Sequence, residues 1–365
     1  MILVCPTTFK GTLSAREVAS AMAAGIREAV PGAEIREQPL SDGGNGMLIA
    51  LEAAGGGRGR GARVTGPLGI SVTARYLVQP ERVVVETAEA CGLHLVPEPL
   101  RAPLRADTRG VGELLLAAAE AAPARARMVV GLGGSATVDG GAGMVRALGW
   151  RLLDQRGEPI PPGPAGLVQL AAIEPPAEPP GLPPLTVLAD VTNPLLGSRG
   201  AAPIFAPQKG ATPEQVVRLE RALARWAQVI QRELGRDVAD LPGAGAAGGL
   251  GAAFAAFLDA EPHPGADWVL DAVHFDAALE AAEIVVTGEG RWDAQSASMG
   301  KVTGEVLRRC GAAGVPCLLV AGQADERVPS GVWLATGQGD ELDAAGLRRL
   351  VAKSLPRLLA GRRRS

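Results

Sequence analysis

The segment Met128-Val-Val-Gly-Leu-Gly-Gly-Ser-Ala-Thr-Val-Asp-Gly-Gly-Ala-Gly-Met144 decides how the rest of the chain is read. A short apolar run enters glycines at 131, 133, 134, 140, 141 and 143, with Ser135, Thr137 and Asp139 threaded among them. Glycine at that density costs folding entropy, so something must require a bare backbone. The usual requirement is an anion approaching main-chain N–H groups at the start of a helix. Ser135 and Thr137 add hydroxyl donors, and Asp139 could hold a metal ion or accept a proton. The bland alternative is a strand-to-helix turn that packs closely, but a simple turn rarely needs more than one or two glycines. The segment therefore reads as a ligand loop in an α/β fold.

Outward from this loop, strand and helix patterns alternate. Residues 2–5 are a continuous apolar run, as expected for a strand covered on both faces. Ser14 and Glu17 form a capping box for a helix that runs to Val30 and stops at Pro31-Gly32. Residues 34–40 read as a strand and 47–54 as a helix. Residues 72–78 and 82–87 read as an antiparallel pair. A helix is expected over 110–121, and strands over 185–189, 283–287 and 317–321. Thr212-Pro-Glu-Gln215 opens the clearest helix, with apolar residues at 216, 219, 223, 226, 230 and 234 on one face and Gly235 ending it. Ten of the 29 prolines fall between Pro159 and Pro184, so that stretch reads as irregular. Alternation is cleanest near both ends. A discontinuous first domain, 1–65 with 281–365, is expected around an inserted second domain, 66–280.

Composition sets the bounds. A chain of 365 residues favours two domains. Hydrophobic residues make up 47% and aromatics 3%, so Leu, Val, Ala and Ile must fill the core. A formal net charge of −3 gives no electrostatic reason to expect nucleic acid. Cys5, Cys91, Cys310 and Cys317 form no CxxC pair and have no histidine at metal-ligand spacing, which reads as reduced thiols in a cytoplasmic protein. The amino terminus has no basic n-region and no long apolar h-region, so no secretory signal is expected. The uncharged run 243–258 is shorter than the roughly 20 residues of a membrane span and rich in glycine, so a buried loop and helix is expected instead. Neither a membrane nor a nucleic-acid partner is indicated, and a homodimer is left open.

In open α/β sheets ligands bind beyond the carboxyl ends of the strands. Five expected strands lead into Ser41-Asp-Gly-Gly-Asn-Gly46, the 131–143 loop, Asp190-Val-Thr-Asn-Pro194, Thr287-Gly-Glu-Gly-Arg-Trp-Asp293 and Gly322-Gln-Ala-Asp325. Any one could be turn chemistry, but together they point to a polar, anion-tolerant cleft. Lysine gives an independent signal, because only four of the 36 basic residues are lysine. Lys10, Lys209 and Lys301 each have a glycine beside them, where a compact ammonium suits phosphate as a point charge. Asp42, Asp139, Asp190, Glu289 and Asp293 supply carboxylates of the kind phosphoryl transfer uses for Mg²⁺ and for orienting a hydroxyl. Arg109 and Arg291 could clamp a carboxylate, or form surface ion pairs.

Two familiar motifs fit poorly. Gly131-x-Gly133-x-x-Ala136 satisfies a dinucleotide fingerprint, with Asp154 downstream, yet Gly140, Gly141 and Gly143 would sit inside the required helix at roughly 1 kcal/mol each. Gly300-Lys301 lacks the leading glycine and the following Ser or Thr of a P-loop. His94, His263 and His274 lie outside the glycine loops and read as structural.

The ordered blocks Phe9-Lys-Gly-Thr-Leu-Ser-Ala15, Asp42-Gly-Gly44, Thr108-Arg-Gly-Val-Gly-Glu113, 131–143, Asp190-Val-Thr-Asn-Pro-Leu195, Pro207-Gln-Lys-Gly-Ala211, Thr287-Gly-Glu-Gly-Arg291 with Asp293, and Gly300-Lys301 resemble the bacterial glycerate kinase family across nearly the whole chain. The resemblance implies two α/β domains with a cleft between them: a Rossmann-like first domain with a parallel sheet, and an inserted mixed α/β domain. It implies ATP and Mg²⁺, and D-glycerate phosphorylated at the 2-hydroxyl. Asp190, Lys10, Asp293 and Lys209 would be catalytic, and Asp190, Asp293 and Asp42 would hold metal. Gly133, Gly134, Ser135, Thr137, Arg109, Glu289, Arg291 and Lys301 would bind substrate or nucleotide. The chain departs from the family pattern at Thr7 or Thr8 and at Asn45, where acids are usual, and at Val138 and Ala189. An NAD(P)-dependent oxidoreductase using the Gly131 loop and a non-catalytic metabolite binder stay as alternatives.

Overall fold

The computed structural model describes residues 1–9, 12–297, 301–337 and 343–362. In chain order its strands are β1 (Ile2–Val4), β2 (Ile35–Glu37), β3 (Arg58–Thr65), β4 (Ser71–Val78), β5 (Arg82–Glu86), β6 (Arg127–Leu132), β7 (Arg151–Leu153), β8 (Ala172–Glu174), β9 (Leu185–Ala189), β10 (Pro262–His263), β11 (Ile284–Trp292), β12 (Cys317–Ala324) and β13 (Val332–Thr336). Contacts divide the chain into two compact units, Met1–Gly56 with Pro264–Ser365, and Gly57–His263. The boundaries drawn from the sequence, after 65 and 280, fall later in the chain. β3 pairs along its whole length with β4, which keeps 58–65 in the inserted unit. The helices Ala266–Ala272 and Phe275–Glu280 are tied to the helix Val302–Ala313 through Arg309, which keeps them in the first.

The first unit is an α/β layer on a five-stranded sheet of order β13-β12-β11-β1-β2, with every pair parallel. β1 is fully buried, as its uninterrupted apolar sequence requires. The chain moves to one side of β1 to form β2 and to the other to form β11. The order reverses between β1 and β11, and that switch point is where such sheets bind ligands. The helix Ala15–Ala29 starts at the capping box of Ser14 and Glu17, as the sequence predicts.

The inserted unit carries a six-stranded mixed sheet of order β10-β9-β6-β5-β4-β3. β3, β4 and β5 are antiparallel neighbours, and β5, β6, β9 and β10 run parallel. The expected hairpin of β4 and β5 is present, whereas β3 carries no strand signal in its sequence, because Arg58-Gly-Arg-Gly61 has no apolar alternation. The proline-rich stretch holds a short helix, Pro164–Leu167, and β8, which pairs with β7. The helix Pro213–Leu234 begins at a capping box of Thr212 and Gln215 and ends at Gly235, with φ +67°. Its buried face carries Leu219, Leu223, Trp226 and Ile230, each of the aliphatic ones worth about 1.5–3 kcal/mol of burial. Among the described residues no helix is long and apolar enough to cross a membrane.

Candidate active site

In the inserted unit, β6 and β9 run side by side with Leu132 opposite Ala189. The glycine loop after β6, starting at Gly133, and the loop after β9, starting at Asp190, therefore leave the sheet from neighbouring strand ends. Lys209 arrives from a single turn, Pro207–Lys209, closed by Gly210 at φ +91°. Its Nζ donates to Ser135 Oγ at 2.9 Å and to the Thr137 carbonyl at 2.6 Å. Ser135, Thr137 and Lys209 are thus brought together, all buried. Burial pulls the Lys209 pKa down to about 8, partly offset by Cys91 and Asp139.

Asp139 does something other than the sequence suggests. It is fully buried and accepts hydrogen bonds from Thr108 N at 3.0 Å, Thr108 Oγ1 at 2.7 Å, Gly143 N at 3.0 Å and Gly141 N at 3.3 Å. Three of these bonds converge on Oδ2 and one reaches Oδ1, so the buried carboxylate is held by donors of the protein itself. Asp139 is a staple between the glycine loop and the start of the helix Arg109–Glu120. Burial raises its pKa, the charge of Asp107 adds to this, and the donated hydrogen bonds oppose it.

The glycines divide in the same way. A Cβ at Gly140 would lie 2.5 Å from Trp226 Cδ1, one at Gly141 2.4 Å from Ala253 Cβ, and one at Gly143 2.0 Å from Asp107 Oδ1. These three are bare because the protein packs against them, and Trp226 Nε1 donates to the Gly140 carbonyl at 2.9 Å. Gly133 and Gly134 are half-buried and exposed, so they remain open to a ligand. The helix after the loop begins only at Ala142, and Asp154 Oδ1 accepts from Arg156 N and Glu158 N in a turn. Neither matches the geometry of a dinucleotide fingerprint.

In the first unit, Asp42 Oδ1 accepts from Val302 N at 2.6 Å, and Lys301 Nζ stands 3.6 Å from Asp42 Oδ2. Asp293 Oδ1 accepts from Ser296 N at 3.0 Å, capping the short helix Ala294–Ala297. Glu289, near the end of β11, accepts from Ser296 Oγ at 2.9 Å through Oε2. Its Oε1 is buried and has no hydrogen-bond partner among the described residues. Burial lifts the Glu289 pKa to about 7. Asp42 and Asp293 push it further up, while Ser296 and Lys301 hold it down. Asp42, Glu289, Asp293 and Lys301 are therefore one electrostatic neighbourhood. Lys10 lies outside the described residues.

Both arginines are engaged at the surface. Arg109 Nε lies 2.8 Å from Glu113 Oε1, and Arg291 Nε 2.6 Å from Asp325 Oδ2, with each arginine side chain more than half exposed. For Glu113 burial acts to raise the pKa, but the hydrogen bonds from Arg109 and Thr65 carry it below the usual range. Ser296 and Asp107 were not singled out from the sequence. A lone Ser or Asp carries no signal until the contact across the chain is seen.

A sequence profile of the glycerate kinase family matches residues 2–332. The chain is 43% identical over 325 residues to a glycerate kinase of Halalkalibacterium halodurans, covering 88% of this chain and 85% of that one. It is 45% identical over 299 residues to the glycerate 2-kinase of Escherichia coli K12, covering 81% and 78%. A solved structure assigned as glycerate kinase 2 from Salmonella typhimurium LT2 superposes with a TM-score of 0.80 at 40% identity, over 99% of both chains. With an α/β fold shared end to end and identity at this level, the chain belongs to the glycerate kinase family, a family of phosphotransferase enzymes.

Proposed function

We propose that the protein transfers the terminal phosphoryl group of ATP to the 2-hydroxyl of D-glycerate, releasing ADP and 2-phospho-D-glycerate. The observation that carries this reading is the state of Lys209. It is a buried ammonium whose donors go to a hydroxyl and a carbonyl, with no carboxylate salt bridge among the described residues. A buried ammonium with no ion-paired carboxylate is costly even with the charge of Asp139 nearby, and an anionic ligand would offset that cost. Gly133, Gly134, Ser135 and Thr137 would wrap that anion with N–H and O–H donors. Asp190, leaving the sheet beside this loop, would orient the attacking hydroxyl and accept its proton at the carboxylate. Lys10 and Lys301 would neutralise charge on phosphate or carboxylate, and Glu289 would contact the ligand through its unpartnered Oε1.

The donor set suits Mg²⁺, which prefers one or two carboxylates plus substrate phosphates over an all-protein cage. Asp42 and Asp293 stand close enough to Glu289 to raise its pKa, and Glu289 Oε1 is buried without a hydrogen-bond partner among the described residues. Asp42 and Asp293 would hold the ion in this unit, and in the inserted unit the same role falls to Asp190. Bound there, Mg²⁺ would supply charge neutralisation to the phosphate oxygens. Four free, buried cysteines accord with a cytoplasmic enzyme.

The test is ATP consumption by the purified protein with D-glycerate and Mg²⁺. Glycerate-dependent ADP release that drops at least about tenfold in Asp190→Asn, with unchanged thermal unfolding, is the expected result. If glycerate is bound without ADP release, the protein is a metabolite binder and the catalytic reading fails.

A further inference from the structure

Beside Lys209 the inserted unit has a narrow, closely packed recess. Its walls include Leu68, Leu93, Val96 and Ala136, and its two charged lining residues, Arg101 and Lys209, are both cations. The Arg101 side chain lies along the turn that carries Lys209. A Cβ added to Gly210 would sit 3.1 Å from Arg101 Cβ, and Arg101 Nη1 donates to the Gln208 carbonyl at 3.3 Å. Arg101 Nε is buried and has no partner among the described residues. Glu98 Oε1 stands 3.8 Å from Nη1 on a side chain that is 83% exposed, so solvent weakens its pull. Lys209 spends two of its three protons on Ser135 and Thr137. Ser135 Oγ accepts from Lys209 and keeps its own proton to donate.

The geometry points to Arg101 as a substrate-specificity residue that, with Lys209, reads the carboxylate of the acid substrate in this recess. The inference rests on the kinase reading above and extends it to a residue that no motif identified. A planar guanidinium matches a planar carboxylate through paired N–H donors, whereas a tetrahedral phosphate in a polyphosphate chain suits a slot lined by Leu and Val poorly. Apolar walls lower the local dielectric and strengthen the attraction between the two cations and one anion. The recess is too narrow for free water as it stands, so the acid enters by pushing aside Arg101, whose outer end reaches the surface. No covalent step is involved.

The experiment compares wild type, Arg101→Leu and Arg101→Lys by steady-state kinetics and by ligand-induced thermal shift. For Arg101→Leu the KM for D-glycerate should rise at least tenfold, with the KM for ATP within twofold and kcat little changed, and Arg101→Lys should recover part of the loss. D-Glycerate should stabilise wild type and not Arg101→Leu. Glycerol, which lacks the carboxylate, should stabilise neither. ATP should stabilise both equally, which also shows that the variant is folded. An unchanged KM and thermal shift for D-glycerate in Arg101→Leu overturns the inference, and so does loss of the ATP shift, which would make the recess a phosphate site. Absence of turnover in wild type, with an Arg101-dependent shift by D-glycerate retained, keeps the recess and sinks only the kinase reading.

Discussion

Asp139 in the inserted unit and Glu289 in the first unit are both acids withdrawn from water, and burial raises the pKa of each. Their surroundings answer that cost differently. Asp139 receives hydrogen bonds from two backbone amides of its own loop and from both donors of Thr108. Glu289 receives one, from Ser296, and keeps an oxygen buried without a partner among the described residues. A satisfied buried carboxylate is part of the architecture. One left partly unsatisfied next to two more acids and a lysine is a place where a ligand or ion would repay the strain. The same division runs through the glycines, where Gly140, Gly141 and Gly143 serve packing and Gly133 and Gly134 stay open.

The largest effect that can break this contrast is expected at Asp139. Asp139→Ala would strand the donors of Thr108, Gly141 and Gly143 in the interior, and should cost about 3–5 kcal/mol in denaturant unfolding. A loss below about 1 kcal/mol would mean that the staple is not structural. Glu289→Gln should behave in the opposite way. Stability at pH 8 should hold or rise, while the KM for ATP or D-glycerate rises about tenfold, near 1.4 kcal/mol of binding. Equal loss of stability in both variants would erase the distinction.

The third effect is a pH dependence whose sign follows from Glu289. The unfolded chain releases this proton near the ordinary value of 4.5, while the native state keeps it until about 7. Between those values the native state binds more protons than the unfolded one, so stability falls as pH rises, by at most about 1.4 kcal/mol per pH unit, and levels off above 7. Thermal unfolding of wild type minus that of Glu289→Gln should trace this slope; a flat difference would show that Glu289 ionises normally.

The smallest effect is expected at Arg109. Its partner Glu113 is reached from an exposed position on the same helix, and such pairs are worth about 0–1 kcal/mol. Arg109→Ala should change unfolding by less than that and leave the KM for D-glycerate within about threefold. A tenfold rise would show that the arginine leaves Glu113 to clamp the substrate.

Local rules made much of the fold legible. The apolar run of β1, the capping boxes at Ser14 and Thr212, and Gly235 at the end of its helix all act within a few residues of themselves. What stayed hidden depended on distant partners. β3 has no apolar alternation of its own and is defined by β4 beside it. The glycine loop was visible as a loop, but the reason for three of its glycines lies in Trp226, Ala253 and Asp107, which no spacing reveals. Asp139 looked like chemistry because an acid among glycines often is. Only the position of Thr108 shows it to be a staple. Arg101 carried no motif and emerges only from its place beside Lys209 and the turn that carries it.

The most direct test of the central claim is the product itself. Incubation with ATP, Mg²⁺ and D-glycerate, followed by proton–phosphorus correlation NMR, should show the new phosphorus coupled to the proton on carbon 2 of glycerate, as 2-phosphoglycerate forms in step with ADP. Coupling to the carbon 3 protons, or ADP formation independent of glycerate, would contradict it.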